Sequence, residues 1–288
     1  MNGDDLRARL AKGTPVLMPG VWDALSARLV VQAGFDTAFV SGFCVSGTRL
    51  GVPDFGYLTQ TEMAETDARV TAAAPALMVL IDADTGYGNA LSVRRTVQAY
   101  EGAGVAGLHI EDQVAPKRCG HLSGHQVIPR GEFAGKIRAA ADARQDRDFL
   151  IIARTDAISA VDFDEALRRG EAALKAGADV LFIEAPRDEA QVERVAKAFD
   201  APLLYNYAPG GRSPLLPLAR LRELRYAIIL LPVDTLLVGV RAIADFLAEV
   251  KKRDDVTSLN DRYMPFAEFN QLIGAMAMME AADRYRDE

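Results

Sequence analysis

The chain has 288 residues, of which 50% are hydrophobic and 25% charged, and its formal net charge at neutral pH is −7. A chain of this size and hydrophobicity buries enough apolar surface for one or two globular domains, which excludes a disordered protein. Because phosphate binding requires clustered Lys and Arg, the acidic balance argues against a nucleic acid or an anionic membrane as partner.

Two cysteines, Cys44 and Cys119, are too few for a disulfide framework, and we expect both to be thiols in a reducing compartment. The opening segment, MNGDDLRARLAKG, carries charges where a secretion signal has an apolar core. No stretch approaches the ~20 apolar residues that span a membrane. We therefore expect a cytoplasmic protein with no membrane or nucleic-acid partner.

Eight short runs rich in Val, Ile, Leu and Phe recur along the chain, and each is followed by a longer segment of helical periodicity. The predicted strands are PVLMPG (15–20), TAFVSG (37–42), LMVLIDAD (77–84), GLHIED (107–112), FLIIARTD (149–156), DVLFIEAP (179–186), PLLYNY (202–207) and YAIILLPV (226–233). Because these runs are continuously apolar rather than alternating, we expect strands that are covered on both faces, as in a parallel sheet. Four of the intervening helical segments end at or near Ala-Gly or Gly-Ala, where glycine stops a helix before a strand.

Eight βα units without a linker rich in Pro, Gly or Ser predict an α/β fold, a (β/α)8 TIM barrel formed by residues 1–253. Residues 254–288 are then a C-terminal helical extension rather than a second domain. A doubly wound sheet is the alternative. That fold would place a glycine-rich phosphate turn after the first strand, and MPGVWDA does not match G-x-G-x-x-G.

Polar residues stand at or near the ends of the predicted strands, and in a barrel these positions converge on one mouth. They are Ser41, Asp82, Asp84, Glu111, Arg154, Glu184 and Asn206. Five of these seven are charged, and charged groups in a mouth cost desolvation energy unless they are paired or hold a metal. We therefore predict a functional site, although any single member is also compatible with a strand-end cap.

Two connections between strands are long, and the extra length falls in residues 43–58 and 113–129. Loops of this length in a compact domain are typically lids or binding segments. The alternative for each is a surface loop without a function.

Two carboxylates at the end of the third strand, Asp82 and Asp84, are one residue apart, so on a strand their side chains face the same side. Glu111 ends the next strand. Carboxylates so placed form a hard-oxygen site for Mg²⁺ or Mn²⁺, held by few direct ligands and several waters. D-x-D alone is a common pattern, but the T-G-Y-G-N turn that follows lets a substrate approach the backbone.

The second long connection contains Cys119, in the segment PKRCGH. Its neighbours include Lys117, Arg118 and His121. Nearby positive charge favours a thiolate, so Cys119 is the predicted reactive cysteine, whereas Cys44 is expected to pack in an apolar setting. Gly120 lets the loop fold over the mouth, where a thiol can deliver a proton to a carbanion. The alternative is a surface cysteine in a basic loop.

Arg154, at the end of the fifth strand, presents a planar fork that suits a carboxylate. An ion pair with Glu111 or Glu184 is its structural alternative, and the two roles are compatible. His109 lies in the middle of the fourth strand. It is either a core histidine or a partner of the carboxylates.

The segment that follows the seventh strand, NYAPGGRSP, places an amide, a cation and a hydroxyl around a glycine pair. These groups belong to Asn206, Arg212 and Ser213. Such a loop suits a second carboxylate of a substrate, and a plain turn is the alternative.

Five motifs together resemble those of the isocitrate lyase/phosphoenolpyruvate mutase superfamily. They are SGFCVSGTRLGVPDFG (41–56), DADTGYGNAL (82–91), EDQVAPKRCGH (111–121), ARTDA (153–157) and NYAPGGRSPL (206–215). The resemblance runs from MPGVWDALSAR (18–28) to FAEFNQLI (266–273). KRCGH resembles the loop signature of the superfamily's carbon–carbon lyases, and among these the chain is most similar to the 2-alkylmalate group, with the 2-methylisocitrate lyases next.

The resemblance implies Mg²⁺-dependent cleavage of a 2-hydroxydicarboxylate into a 2-oxoacid such as pyruvate and a second carboxylic acid, by retro-Claisen chemistry. On the family pattern, the metal positions are Asp82 and Asp84, with Asp54 and Glu111 holding metal-bound water. The catalytic positions are Cys119, which protonates the departing acid, Arg154, which binds the oxoacid carboxylate, and the adjacent His121 and Glu184. The substrate-binding positions are Ser41, Gly42, Phe43, Asp82, Gly120, Asn206, Arg212 and Ser213.

The chain departs from this family pattern at several positions. The methylisocitrate and isocitrate lyases carry a tyrosine where this chain has Phe39, so a tyrosine base is unavailable there. A threonine hydroxyl is replaced by Ala208, and a glutamate near Pro209 is missing, which favours a substrate with a small alkyl group over a tricarboxylate. Arg212 is a larger cation than the pattern has at this place.

The superfamily's oligomers exchange a C-terminal helix, and residues 265–285 have the apolar, Met-rich face of such a helix. We therefore expect a homo-oligomer, a tetramer or a dimer with helix swapping. The alternative is that this helix packs on its own barrel.

Three other functions stay open. The first is hydrolysis or decarboxylation of oxaloacetate. The second is phosphonopyruvate or phosphoenolpyruvate mutase chemistry, which KRCGH disfavours. The third is a non-catalytic barrel that binds a dicarboxylate.

Overall fold

In the computed structural model, which describes residues 2–120 and 124–286, eight parallel strands close into a barrel in chain order. The strands are β1 (Val16–Val21), β2 (Thr37–Val40), β3 (Met78–Asp82), β4 (Gly107–Glu111), β5 (Leu150–Thr155), β6 (Val180–Ile183), β7 (Leu203–Asn206) and β8 (Tyr226–Leu231). Because β8 pairs with β1, the sheet has no open edge, which excludes the doubly wound alternative. The predicted (β/α)8 barrel and all eight predicted strands are therefore confirmed.

Helices precede the first strand, connect the strands and follow the last one. They are α1 (Asn2–Ala11), α2 (Ala24–Gln32), α3 (Gly42–Val45), α4 (Gln60–Ala73), α5 (Ala90–Gly102), α6 (Arg130–Ala143), α7 (Ala157–Ala160), α8 (Phe163–Lys175), α9 (Glu189–Ala198), α10 (Leu218–Glu223), α11 (Asp234–Arg253), α12 (Phe266–Leu272) and α13 (Ala275–Arg284). Side chains of Asp23, Thr59, Asn89, Asp162 and Asp188 accept hydrogen bonds from the first turns of α2, α4, α5, α8 and α9. These caps satisfy backbone N–H groups that have no partner within the helix, and they fix where each helix begins.

The strands separate two apolar layers, one inside the barrel and one between the strands and the helices. Residues alternate between the layers along each strand: Met78 and Leu80 of β3 belong to the interior, whereas Val79 and Ile81 face the helices. Leu6 of α1 joins the interior layer. The continuous apolar runs of the sequence are explained by this double burial.

The C-terminal part of the chain is much less buried than the barrel. No residue of α11, α12 or α13 is buried, and Val238 and Ile243 of α11 are 71% and 61% exposed. Arg253, the predicted end of the barrel domain, is the last residue of α11. The division at this residue stays a prediction, as does the swapping of the extension. Among the described residues, no helix has the length and apolar character needed to cross a membrane.

Asp67 of α4 is fully buried, and neither of its carboxylate oxygens has a hydrogen-bond partner among the described residues. Burial raises its pKa well above the usual range. An acid whose pKa is raised by folding contributes stability at low pH that is lost as the pH rises above the unfolded pKa of about 4, by ~1.4 kcal/mol per pH unit until the folded group ionises.

We therefore expect the free energy of unfolding of Asp67→Asn, relative to the wild type, to rise steadily between about pH 5 and pH 7. Asparagine has no ionisable group, so the variant does not lose stability in this way as the pH rises. Urea unfolding at several pH values measures the difference, with the exposed Asp142→Asn as matched control. A difference that is constant across this range would contradict the expectation.

Candidate active site

The residues that end the strands on the interior face form the mouth of the barrel. Asp82 is the next interior position after Leu80 in β3, and Arg154 is the next after Ile152 in β5. The same step of two residues leads to Ser41, Glu111, Glu184 and Asn206 at other strand ends. Side chains alternate along a strand, so this periodicity directs all of these polar groups to the axis of the barrel.

A cavity of about 270 Å³ opens at this mouth. Nine of the predicted site residues line it: Ser41, Phe43, Asp54, Asp82, Cys119, Gly120, Arg154, Glu184 and Asn206. Most of the remaining lining is apolar and includes Phe39, Phe182, Ala208, Pro209, Leu230 and Leu237. The strand ends and the two long connections therefore meet in one pocket, as predicted.

Five other predicted residues are not part of the cavity wall: Gly42, Asp84, Glu111, Arg212 and Ser213. Asp84 and Glu111 are buried beside it. Arg212 is exposed, with Nη1 3.2 Å from the hydroxyl oxygen of Ser159. Ser213 is buried but not part of the cavity lining. His121 lies outside the described residues.

Asp82 is a fixed carboxylate at the floor of the cavity. Its Oδ1 accepts a hydrogen bond from the backbone N–H of Asp84 at 2.9 Å and lies 2.9 Å from Nε2 of His109. Burial raises the pKa of Asp82, but the attraction of His109 and Lys117 outweighs it, and the pKa lies well below its usual range. Gly42 packs directly behind, since an added Cβ would lie 2.7 Å from Oδ2 of Asp82.

His109 fills the interior of the barrel beneath the cavity. Its ring stacks on Phe39 with a centroid distance of 5.5 Å and meets the Phe182 ring edge-on. The sequence left His109 as either a core histidine or a partner of the carboxylates. The structure favours the second role, because the ring lines the cavity and lies beside Asp82.

Lys117 is a buried cation whose part in the site was missed from sequence. It is 4% exposed, and its Nζ lies 2.6 Å from Oδ1 of Asp54 and 2.8 Å from Oδ1 of Asp84. Burial lowers the pKa of Lys117, but these carboxylates outweigh burial and raise it. Burial raises the pKa of Asp84 to about 7, with Lys117 opposing and Asp82 and Asp54 adding to the rise.

The loop that carries Cys119 is attached to the other long connection. The backbone N–H of Cys119 donates to the carbonyl of Asp54 at 3.1 Å, and Nε2 of His125 lies 2.9 Å from the carbonyl of Cys119. The loop also packs on Gly56, where an added Cβ would lie 3.3 Å from the backbone nitrogen of Lys117. The two connections therefore act as one unit that places the thiol at the cavity.

Arg154 is held by carboxylates on several sides. Its Nε and Nη2 donate to the two oxygens of Asp156, both at 3.0 Å. Nη1 lies 3.2 Å from Glu111 and Nη2 lies 3.7 Å from Glu184. Burial lowers the pKa of Arg154, but these carboxylates outweigh it and raise the pKa well above its usual range. The predicted ion pairs with Glu111 and Glu184 therefore coexist with a place on the cavity wall.

Asp156 was also missed, although the alternation along β5 that places Arg154 inside the barrel also places Asp156 there. Across the cavity, Asn206 donates from its side-chain amide to Glu184 at 2.9 Å. The second oxygen of Glu184 accepts the N–H of Ala185 at 2.8 Å.

Among residues 2–120 and 124–286, no group of three or more carboxylate, imidazole or thiol side chains is arranged to hold a metal ion. Lys117 engages Asp54 and Asp84, and Arg154 approaches Glu111. Both oxygens of the buried Glu111 nevertheless lack a well-formed hydrogen bond among the described residues. Burial raises the pKa of Glu111 well above its usual range.

Comparison with known proteins identifies the family. A family model described as phosphoenolpyruvate phosphomutase matches residues 6–251. The chain is 42% identical over 281 residues to 2,3-dimethylmalate lyase of Eubacterium barkeri, which covers 97% of this chain and 96% of that protein. The chain belongs to the PEP mutase/isocitrate lyase superfamily.

Other members of the superfamily have different activities. The carboxyvinyl-carboxyphosphonate phosphorylmutase of Arabidopsis thaliana is 42% identical over 273 residues, covering 94% of this chain and 80% of that protein. The solved structure of oxaloacetate acetylhydrolase with 3,3-difluorooxalacetate superposes with a TM-score of 0.93 at 33% identity, covering 99% of this chain and 97% of that one. Phosphonopyruvate hydrolase, solved with oxalate and Mg²⁺, gives a TM-score of 0.90 at 29% identity and 99% coverage of both chains.

Gly120 is packed where no side chain fits. This close packing holds the loop that carries Cys119 against the barrel. A Cβ added to Gly120 would lie 2.4 Å from Nη2 of Arg154 and 2.8 Å from Oδ1 of Asp156. The exposure of the Cys119 thiol reports on the loop. Cys44, the other cysteine, is fully buried, and burial raises its pKa to about 12.

We therefore expect Gly120→Ala to lift the loop and to speed the reaction of one thiol with a disulfide reagent several-fold in the native protein. Gly131→Ala is the control, because an added Cβ at Gly131 meets nothing within 4 Å. The fast phase should vanish in Cys119→Ser. Equal rates in Gly120→Ala and the wild type would show that the loop is not seated by this contact.

Proposed function

We propose that the chain is a Mg²⁺-dependent carbon–carbon lyase acting on a 2-hydroxydicarboxylate of the 2-alkylmalate or 2-methylisocitrate type. The products are a 2-oxoacid such as pyruvate and a second carboxylic acid. One observation carries the proposal: a cation, a carboxylate and a thiol, from Arg154, Asp82 and Cys119, line a single cavity with apolar walls. The extensive identity to 2,3-dimethylmalate lyase supports it.

The donors at the mouth suit a hard divalent cation that takes two direct carboxylate ligands and several waters, which does not require the group of three ligands that the described residues lack. Asp82 is anionic at the cavity wall, Asp54 shares that wall, and the buried oxygens of Glu111 lack hydrogen bonds among the described residues. Asp82 and Asp84 would hold the ion, and Asp54 and Glu111 its waters. Oxygen donors of this kind suit Mg²⁺, with Mn²⁺ as a substitute. A bound cation supplies stabilisation of the negative charge that develops on the substrate oxygen.

The chain's own groups bind the substrate and deliver a proton. Arg154 and the backbone at Ser41 and Gly42 receive the carboxylate of the oxoacid half. The 2-hydroxyl loses its proton, the bond between C2 and C3 breaks, and its electron pair passes to the departing acid as an enediolate. The Cys119 thiol then protonates that carbon. Phe39 has no hydroxyl, so the hydroxyl proton passes to another group of the cavity.

The apolar walls favour a small alkyl substituent on the substrate. Ala208 and Pro209 line the cavity, and Leu237 continues the apolar surface. On the family pattern described above, the methylisocitrate and isocitrate lyases have polar groups at or near the places of Ala208 and Pro209. Arg212 lies off the cavity wall and approaches Ser159. A third carboxylate would therefore have no cation from this loop, which supports an alkylmalate over a tricarboxylate.

Hydrolysis or decarboxylation of oxaloacetate is the second candidate. The superposition on oxaloacetate acetylhydrolase, with a TM-score of 0.93, supports it. This chemistry also needs a bound carboxylate and a stabilised oxyanion in the same pocket. The products, oxalate and acetate for the hydrolase, differ from those of the lyase.

With Mg²⁺ present, we expect pyruvate from a panel of 2-alkylmalates and loss of turnover on chelation with EDTA. Cys119→Ser should lower kcat by ~100-fold or more, because it removes the proton donor, whereas the matched Cys44→Ser should retain activity. Product analysis by mass spectrometry decides among the candidates. Oxalate with acetate would favour the hydrolase, turnover of phosphonopyruvate would favour phosphonate chemistry, and binding without product would indicate a non-catalytic barrel.

We also propose that the protein is a homo-oligomer, a dimer or tetramer, in which a second copy covers α11 and α13. Val238 and Ile243 of α11 and Met276 and Met278 of α13 are all more than 60% exposed, which is unusual for so many apolar side chains on a soluble surface. Helix swapping of residues 265–285 and the cytoplasmic location stay predictions.

We expect light scattering to give a multiple of the 31.2 kDa chain mass. Replacing Val238 and Ile243 with glutamate should shift the mass toward the monomer, because it buries charge in the interface. Glutamate at the exposed, polar Arg194 is the control. A monomer at all concentrations would contradict oligomerisation.

A further inference from the structure

Asp156 is a buried carboxylate beside Arg154 that the proposed reaction does not use. It is 1% exposed, and its two oxygens accept hydrogen bonds from Nε and Nη2 of Arg154, each at 3.0 Å. Bidentate hydrogen bonding to a carboxylate fixes both the plane of a guanidinium group and its rotation within that plane. The ring of Phe182 packs against the guanidinium, with 5.0 Å from Cζ to its centroid.

The other carboxylates near Arg154 hold it less completely. Glu111 approaches one nitrogen at 3.2 Å and Glu184 approaches one at 3.7 Å. A single contact of this kind contributes charge but leaves the guanidinium free to rotate about it. The orientation of Arg154 therefore depends mainly on Asp156.

Asp156 is itself held by Asp112, the residue that follows β4. Its backbone N–H donates to Oδ1 of Asp112 at 2.9 Å. The other oxygen of Asp112 accepts the Thr155 hydroxyl at 2.6 Å and Nη1 of Arg169 at 3.0 Å. A continuous series of buried hydrogen bonds thus runs from α8 to the cavity wall. Buried polar groups that are fully paired in this way give a rigid arrangement.

The same carboxylate also borders the cysteine loop. A Cβ at Gly120 would lie 2.8 Å from Oδ1 of Asp156, so the loop backbone passes directly over the ion pair. Any rotation of Asp156 would therefore disturb both the guanidinium and the loop.

We infer that Asp156 is a positioning residue, which orients the Arg154 guanidinium so that its remaining N–H groups face a substrate carboxylate in the cavity. The inference rests on the proposed function, because it assigns carboxylate binding to Arg154. Asp156 acts through Arg154 and does not itself touch the substrate.

The test measures the binding of oxalate, a small dicarboxylate, by calorimetry in the presence of Mg²⁺. We expect Asp156→Asn to weaken oxalate binding roughly 10- to 100-fold, because asparagine keeps one acceptor oxygen and turns an N–H₂ group toward the guanidinium. Arg154→Lys should weaken binding at least as much. The double variant, Asp156→Asn with Arg154→Lys, should show little further loss of oxalate affinity. A residue that acts only by orienting the Arg154 guanidinium has no effect once that guanidinium has been removed.

Asp179→Asn is the matched control. Asp179 precedes β6 at the opposite end of the barrel and pairs with Arg7 at 3.0 Å and with Arg144. Its removal should lower the unfolding temperature without changing the affinity for oxalate. Asp112→Asn is a second variant that keeps the Asp156 carboxylate, and a smaller, severalfold loss is expected from its weakened support.

Unchanged oxalate affinity in a folded Asp156→Asn protein would overturn the inference and leave the proposed function standing. Additive losses in the double variant would overturn it as well, because they would indicate a role independent of Arg154. If Asp156→Asn does not fold, unchanged affinity in Asp112→Asn overturns it. A wild-type protein that binds no oxalate would overturn the inference together with the carboxylate site of the proposed function.

Discussion

The mouth of the barrel depends on the pairing of buried carboxylates with two buried cations. In the described part of the chain, Asp54, Asp82, Asp84, Glu111, Asp156 and Glu184 surround Lys117 and Arg154. Burial of an unpaired charge costs several kcal/mol. Negative groups outnumber positive ones here. Burial raises the pKa of Asp84 to about 7 and that of Glu111 well above its usual range, and the neighbouring carboxylates add to both rises. A divalent cation would relieve this excess, and it would also let an anionic substrate enter a negative site.

The same pairs also determine where the thiol lies. Asp54 accepts from Lys117 with its side chain and from the Cys119 N–H with its carbonyl, so it both neutralises charge and holds the cysteine loop. On the opposite side, Gly120 passes over Arg154 and Asp156. The loop thus contacts carboxylates that pair with each of the two cations, so we expect a change in either ion pair to displace Cys119. Charge balance and proton delivery are therefore not independent properties of this site.

The barrel and much of the site were predictable because both follow from periodicity. Strands covered on both faces are continuously apolar, and the alternation that places Leu80 inside also places Asp82 inside. The pairing of Lys117 with Asp54 and Asp84 was missed because these partners lie far away in sequence, on the first long connection and just after β3. No periodicity extends past the end of β7, so the direction of Arg212 was not determined by the pattern. The role expected for His121 stays a prediction.

The apolar surface of α11 connects the cavity to the outside of the barrel. Pro209 and Leu237 line the cavity and also a groove on the outer side of α11 that includes Val238 and Arg241. A helix of 20 residues with no buried side chain is held weakly by its own barrel, because packing of an apolar face is what stabilises a surface helix. A second copy that covers this face would fix α11 and, through Leu237, the apolar wall of the cavity. Self-association and the shape of the substrate pocket would then be two effects of one buried surface.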